Sequence, residues 1–238
     1  MTGVEVSAVI PVFNDREALK RAIPLSITRL SEVAPCFELI IAEDGSTDGS
    51  ADLVRSWEEQ DSRVRLFHSD ERLGRGRALN RAFSAAEGAI VCYYDVDLAT
   101  DMTHLGTLIG AIRNGYDIAT GSRLLPQSRI QRSGGREIAS RAYNLLVRTV
   151  LGSRLHDHQC GFKAFSRERI LSIIPAVRDT HWFWDTEVLV RAGRRGVSIC
   201  EFPVTWQQGG ETTVKRHDVW DMGTAILRLW WDLHVEKD

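Results

Sequence analysis

The sequence predicts an α/β protein built on a mostly parallel sheet with helices on both faces. Short apolar β-rich runs recur through the first 120 residues, and each is followed by a segment whose apolar residues return at helical spacing. The length adds a third argument, because 238 residues suit one such domain with a full core. Residues 4–13 form the first run and precede a helix over residues 17–30, where Leu19, Ile23, Ile27 and Leu30 share a face. Residues 37–42 are the second strand, followed by an acidic turn and a helix over about residues 48–59. Residues 64–67 are the third, with a helix after Gly76. Residues 89–94 are the fourth, with a helix over about residues 102–114, and residues 118–120 close the series. The second half is less regular. It reads as helices over about residues 136–151, 185–194 and 218–235, with a strand over residues 197–204. No repeat, low-complexity tract or Pro/Gly-rich linker divides the chain, so residues 1–238 read as one domain.

Composition excludes several classes. With 43% apolar and 26% charged residues the chain is an ordinary folded domain, not a disordered one. A net charge of -2 argues against a dedicated nucleic-acid binder. The charge is uneven, however: Arg123, Arg129, Arg132, Arg136, Arg141, Arg148 and Arg154 are opposed only by Glu137. Cys36, Cys92, Cys160 and Cys200 are far apart with no CxxC pair, which points to reduced thiols in a cytosolic compartment. His156, His158 and Cys160 make an HxHxC run, but no second ligand pair stands at zinc spacing. The N-terminal residues lack a basic n-region, so no signal peptide is expected. No apolar stretch approaches the roughly 18–20 residues that span a bilayer, so any membrane contact is expected to be peripheral.

In a parallel sheet, ligands gather at the carboxyl ends of the strands. Pro11, Val12, Phe13, Asn14 and Asp15 end the first strand, Glu43 to Ser50 (EDGSTDGS) follow the second, and Asp95-Val96-Asp97 ends the fourth. Asp48 and Ser50 read mainly as capping residues. Asp95 and Asp97 do not. Two carboxylates one residue apart in extended backbone point the same way and repel unless a cation lies between them. Mg²⁺ or Mn²⁺ shared with substrate phosphates answers that repulsion. Gly74-Arg75-Gly76 is either a tight turn or a phosphate-cradling one; it has neither the third glycine of a dinucleotide fingerprint nor a Walker lysine.

Taken in order, VIPVFND (residues 9–15), IIAEDGSTDG (residues 40–49) and Asp95-Val96-Asp97 resemble the inverting glycosyltransferases of family 2, which have the GT-A fold. Gly121-Ser122-Arg123, Gln159-Cys160-Gly161-Phe162-Lys163 and the run WFWDTEV (residues 182–188) are similar to the dolichyl-phosphate mannose and glucose synthases, and the likeness covers roughly residues 5–230. The resemblance implies a nucleotide-binding half over about residues 1–120 and an acceptor-binding half over about residues 121–238. It places Pro11, Phe13 and Asp15 along the nucleotide of a GDP-mannose or UDP-glucose donor, with Asp44 near its base or ribose. It gives Asp95 and Asp97 the metal and diphosphate, and Arg123 and Arg136 the phosphate of a polyprenyl acceptor. The mannose synthases carry a glutamine where this chain has Ala99, which brings it nearer the glucose branch. Their arginine and lysine before the last helix correspond to Gln207 and Thr213, with Lys215 or Arg216 as substitutes.

An anionic phosphate acceptor needs no strong base, whereas a sugar hydroxyl would, and Asp185 and Glu187 are then the candidates. Otherwise they are first-turn acids favoured by the helix dipole. In the last helix Val219, Met222, Ile226, Leu229, Trp230 and Leu233 share a face, with Trp220 and Trp231 beside it. That face suits a bilayer interface, or else the core or a partner subunit. The expectation is an enzyme at the cytoplasmic face of a membrane. A family 2 transferase with another acceptor, a non-catalytic nucleotide-sugar binding module and a nucleotidyltransferase are the rival readings.

Overall fold

In the computed structural model the chain is described over residues 3–131, 134–207 and 216–235. Five strands of the first half run as the apolar pattern predicts: β1 (Val6–Val12), β2 (Phe37–Glu43), β3 (Val64–Phe67), β4 (Ile90–Tyr94) and β5 (Ile118–Ser122). All but β3 are buried along their whole length, which is why they read as continuous rather than alternating apolar runs. Helices α1 (Arg16–Val33), α2 (Ser50–Gln60), α3 (Arg75–Ala85) and α4 (Leu105–Arg113) connect them, the last entered through a 3-10 turn over Met102–His104. The second half adds β6 (Arg129–Gln131), α5 (Gly134–Leu151), β7 (Phe162–Ser166), α6 (Arg167–Ile173), α7 (Trp184–Arg194), β8 (Ile199–Pro203), β9 (Thr205–Gln207) and α8 (Arg216–His234).

The seven-stranded sheet has the order β3-β2-β1-β4-β7-β5-β8. Every neighbouring pair is parallel except those of β7, which is antiparallel to β4 and to β5. Residues 162–166 were not expected to be a strand. Phe162 and Ala164 join one face of the core and Phe165 the other, but Lys163 sits at the centre and hides the apolar pattern. A separate parallel pair, β6 and β9, lies over the loop after β4, where Thr100 bridges to Trp206.

Alternation along the strands divides the core in two. Val6, Ala8, Ile10 and Val12 of β1 pack with Leu19, Ile23 and Leu30 of α1 and Leu105, Leu108 and Ile109 of α4. On the opposite face Val9, Val91 and Tyr93 meet Leu79 and Phe83 of α3, Ile170 of α6, and Trp184 and Val188 of α7. A third cluster joins Val147 and Leu151 of α5 to Phe183, Val190 and to Met222, Ile226 and Leu229 of α8. Met222, Ile226 and Leu229 of the periodic face are therefore core, while Trp230 of that face, and Leu227 and Trp231 of the same helix, are exposed. No helix among the described residues is long and apolar enough to cross a membrane.

Candidate functional site

The carboxyl ends of β1, β2 and β4 meet along one edge of the sheet, and three loops form the near wall. Asn14 takes a left-handed φ of 50°, its N–H donates to the Ser46 hydroxyl at 2.9 Å, and its side-chain oxygen accepts the Thr47 N–H at 2.8 Å. Asp48 accepts the Arg16 N–H at 2.9 Å and both the N–H and hydroxyl of Ser50, so it ties two helix starts together. Asp15 caps α1 through the Ala18 N–H at 3.2 Å. The Asp44 carboxylate accepts the N–H groups of Leu73 at 2.8 Å and Gly74 at 2.9 Å, holding the loop before α3 against the β2 end. Gly45 makes that approach possible: its φ is +76°, and a Cβ there would lie 2.7 Å from the backbone of Glu71 and Arg72. Pro11 is buried at the end of β1, whereas Phe13 is exposed with the Arg72 guanidinium 4.0 Å from its ring centroid.

Asp95 and Asp97 follow β4 directly. Asp97 accepts the Ala99 N–H at 3.0 Å, and Leu98 takes a left-handed φ of 52° to allow that turn. Burial and then the nearby Asp95 charge push the Asp97 carboxyl above the usual range, partly offset by the Ala99 N–H. Both acids open onto a recess shared with Ala99, Thr100, Gly161 and Trp206. Two hard oxygen donors with mutual repulsion fit a divalent cation. Among the described residues no group of three His, Cys, Asp or Glu side chains converges. Among the described residues the pair is therefore not a complete cage, and a cation held there would take further ligands from elsewhere, such as phosphate or water, as Mg²⁺ sites commonly arrange. Gln207, at the end of β9, donates its N–H to the Ala99 carbonyl at 2.8 Å, so β9 is stitched to the same turn.

Behind the pair lies a network of buried charges that spacing along the chain did not reveal. Arg75, in the first turn of α3, donates to Asp95 at 2.8 Å and to Asp185 at 2.7 Å. Lys163 of β7 is fully buried, lies 3.1 Å from Asp185, and stands opposite Tyr93 in the β4–β7 register. The Tyr93 hydroxyl also donates to Asp185. Burial alone would raise the Asp185 carboxyl, but Lys163 and Arg75 outweigh it and hold the group below the usual carboxylate range. Glu187 is equally enclosed: it accepts the backbone N–H groups of Arg178 and Asp179 and pairs with Arg191 at 2.9 Å. Arg75 and Lys163 lie within motifs already singled out, but their partners are 20 to 110 residues away in the chain.

Arg123, just past β5, is placed against Asp157 by three contacts of 2.7–2.9 Å, two from its guanidinium and one from its backbone N–H. Asp157 is fully buried; burial would raise its carboxyl, and Arg123 drives it far down. Arg136 is in the first turn of α5, and its side chain lies outside the described residues, as do Thr213 and Lys215 and the side chains of Arg216, Val219 and Trp220. In the HxHxC run both ring nitrogens of His158 are engaged, one with Asn144 at 2.7 Å and one with Ser153 at 2.7 Å. That histidine is a buried structural residue and not a zinc ligand.

Fold and site together define the class, an α/β glycosyltransferase of GT-A architecture. The chain belongs to glycosyl transferase family 2: residues 7–171 match the family model described as "Glycosyl transferase family 2". It is 49% identical over 237 residues to glycosyltransferase AglD of Haloferax volcanii, covering 98% of this chain and 38% of that protein. The chain thus spans well under half the length of that relative. It is 30% identical over 220 residues to a dolichyl-phosphate beta-glucosyltransferase of Dictyostelium discoideum, covering 87% of this chain and 67% of that one. Polyprenol monophosphomannose synthase of Mycolicibacterium smegmatis is 28% identical over 211 residues, covering 84% and 76%. Among solved structures, glucosyl-3-phosphoglycerate synthase from Mycobacterium tuberculosis in complex with uridine diphosphate superposes with a TM-score of 0.70 at 22% identity, covering 97% of this chain and 80% of that one.

Proposed function

We propose that the protein transfers a hexose, with inversion, from a nucleotide sugar to a polyprenyl phosphate. The observation that carries this reading is the condition of the two candidate bases. Asp185 is enclosed by Arg75, Lys163 and Tyr93, and Glu187 by Arg191 and two backbone N–H groups. A sugar hydroxyl requires a carboxylate able to take its proton. A phosphate monoester is already anionic at neutral pH and requires position and charge compensation. The names of the dolichyl-phosphate and polyprenol relatives support the same acceptor class.

In this reading Phe13 and Pro11 line the nucleotide, and Asp44 and Asp15 hold the loops that shape its slot. Asp95 and Asp97 hold Mg²⁺ or Mn²⁺. When bound, that ion supplies charge neutralisation to the departing nucleoside diphosphate. Arg123, presented by Asp157, and Arg136 gather the acceptor phosphate, whose geometry suits guanidinium forks. One phosphate oxygen forms the bond to the anomeric carbon as the bond to the diphosphate oxygen breaks, and the electron pair leaves on the nucleoside diphosphate. No proton has to move. Ala99, short and on the recess wall, favours UDP-glucose over GDP-mannose by its likeness to the glucose branch. A lipid acceptor places the protein peripherally on a membrane, at its cytoplasmic face.

The test is a transfer assay with a short polyprenyl phosphate, Mn²⁺ or Mg²⁺, and labelled UDP-glucose or GDP-mannose in separate reactions. Label entering the organic phase supports the reading and identifies the donor. Nucleoside diphosphate release without lipid labelling would overturn the acceptor. Asp97→Ala is expected to lose nearly all turnover with unchanged thermal unfolding; activity near that of the unaltered protein would remove the cation role.

A further inference from the structure

The direction of the Asp95 carboxylate matters, yet 44% of its side chain is open to solvent. A carboxylate this open ordinarily samples several rotamers. Two features hold it from opposite sides. One is Arg75, whose Nη2 reaches Asp95 Oδ1 at 2.8 Å while its Nη1 reaches Asp185 Oδ2 at 2.7 Å. The other is Gly161: a Cβ built there would lie 1.8 Å from Asp95 Oδ2, so the carboxylate occupies the space of the missing side chain. The backbone is fixed at the same point, because the Asp95 N–H donates to the Gly161 carbonyl at 3.2 Å.

We propose that Arg75 is a positioning residue for the Asp95 carboxylate, anchored by Asp185 and opposed by the notch at Gly161. The anchor cannot follow Asp95 if that side chain turns. Asp185 has only 5% of its side chain exposed, and its other oxygen is shared by Lys163 at 3.1 Å and the Tyr93 hydroxyl. Lys163 is itself immobile, buried completely and donating to the Cys160 carbonyl. The guanidinium is confined as well, 5.2 Å from the Tyr93 ring centroid and 5.9 Å from that of Trp182. Its planar fork spans two carboxylates at once, which a lysine ammonium on a flexible stem does not reproduce. Asp185 thereby acts through Arg75 rather than on a substrate proton. The inference rests on the reading of Asp95 and Asp97 as cation ligands, whose outer partners commonly govern metal affinity as strongly as the ligands do.

The experiment is calorimetric titration of the full chain with UDP and GDP, each with and without Mn²⁺, alongside thermal unfolding. The quantity read is the gain in nucleotide affinity that Mn²⁺ confers. Arg75→Met and Gly161→Ala are each expected to cut that gain by about tenfold or more. The double variant is expected to lose little beyond the stronger single, because both act on one carboxylate. Arg75→Lys keeps the charge but not the fork and should stay impaired. A gain unchanged in Arg75→Met at unaltered melting temperature overturns the proposal, and so does full recovery in Arg75→Lys, which would reduce the role to charge. Should Arg75→Met fail to fold, Gly161→Ala and Arg75→Lys decide the matter. If the unaltered protein gains nothing from Mn²⁺ with either nucleotide, the cation reading fails first and takes this proposal with it.

Discussion

Several interior side chains of this protein are held by ion pairs. Arg123 and Asp157 show the cost: each needs the other, since removing one partner of a buried pair leaves an uncompensated charge, at about 3–5 kcal/mol. Loss of activity in an Arg123 variant therefore has to be read beside its stability. His158 makes the opposite choice and stays neutral. Burial depresses its imidazole to about 4 against an ordinary 6.5. Between those two values the unfolded chain binds a proton that the folded chain refuses, so stability is fully present above pH 6.5 and falls as pH drops toward 4. The span corresponds to about 3 kcal/mol at most. Urea unfolding from pH 7 to pH 4 should show this acid loss, and His158→Gln should flatten it; an unchanged slope in the variant would assign the loss to other groups. Asp95 and Asp97 were legible in the sequence because a strand end exposes them in consecutive order. That Arg75, Lys163 and Asp185 join behind Asp95 was not legible, because only the closed sheet brings those three distant segments together.

Among elements, legibility followed burial. Strands covered on both faces, β1, β2, β4 and β5, stand out as apolar runs, and the helices between them show their inward faces. Strand β7 escaped because Lys163 interrupts it, and β6 and β9 because three residues carry no periodicity. The last helix divides into two faces. Met222, Ile226 and Leu229 close the third core cluster, whereas Leu227, Trp230 and Trp231 are 40–65% exposed. Helix α5, packed beside it, exposes Ile138, Leu145 and Leu146 together with Arg141, Arg148 and the Arg154 that follows. Apolar and aromatic side chains beside arginines suit an anionic lipid surface. Flotation with vesicles containing acidic lipid should recover the protein at low salt and less at high salt, and Trp231→Ser should weaken recovery severalfold. No flotation at low salt would exclude this face as the docking surface.

For the whole molecule the decisive feature is the position of β7. It comes from the second half of the chain but lies between β4 and β5 of the first. The two halves of the chain thus share one sheet, and Lys163 of that strand supports the Asp95 network from within it. Calorimetry should show a single cooperative transition, with equal calorimetric and van't Hoff enthalpies; two resolved peaks would mean the halves melt independently. The same insertion sets an order of events during translation. When β5 leaves the ribosome neither of its neighbours, β7 and β8, yet exists, so the free edge of β4 and both edges of β5 stand open as unpaired backbone. The 44 residues from Arg123 to Ser166 take roughly 2–9 s to synthesise at 5–20 residues per second. Through that interval the nascent chain presents those sticky borders, and a chaperone that covers strand edges has its clearest task there.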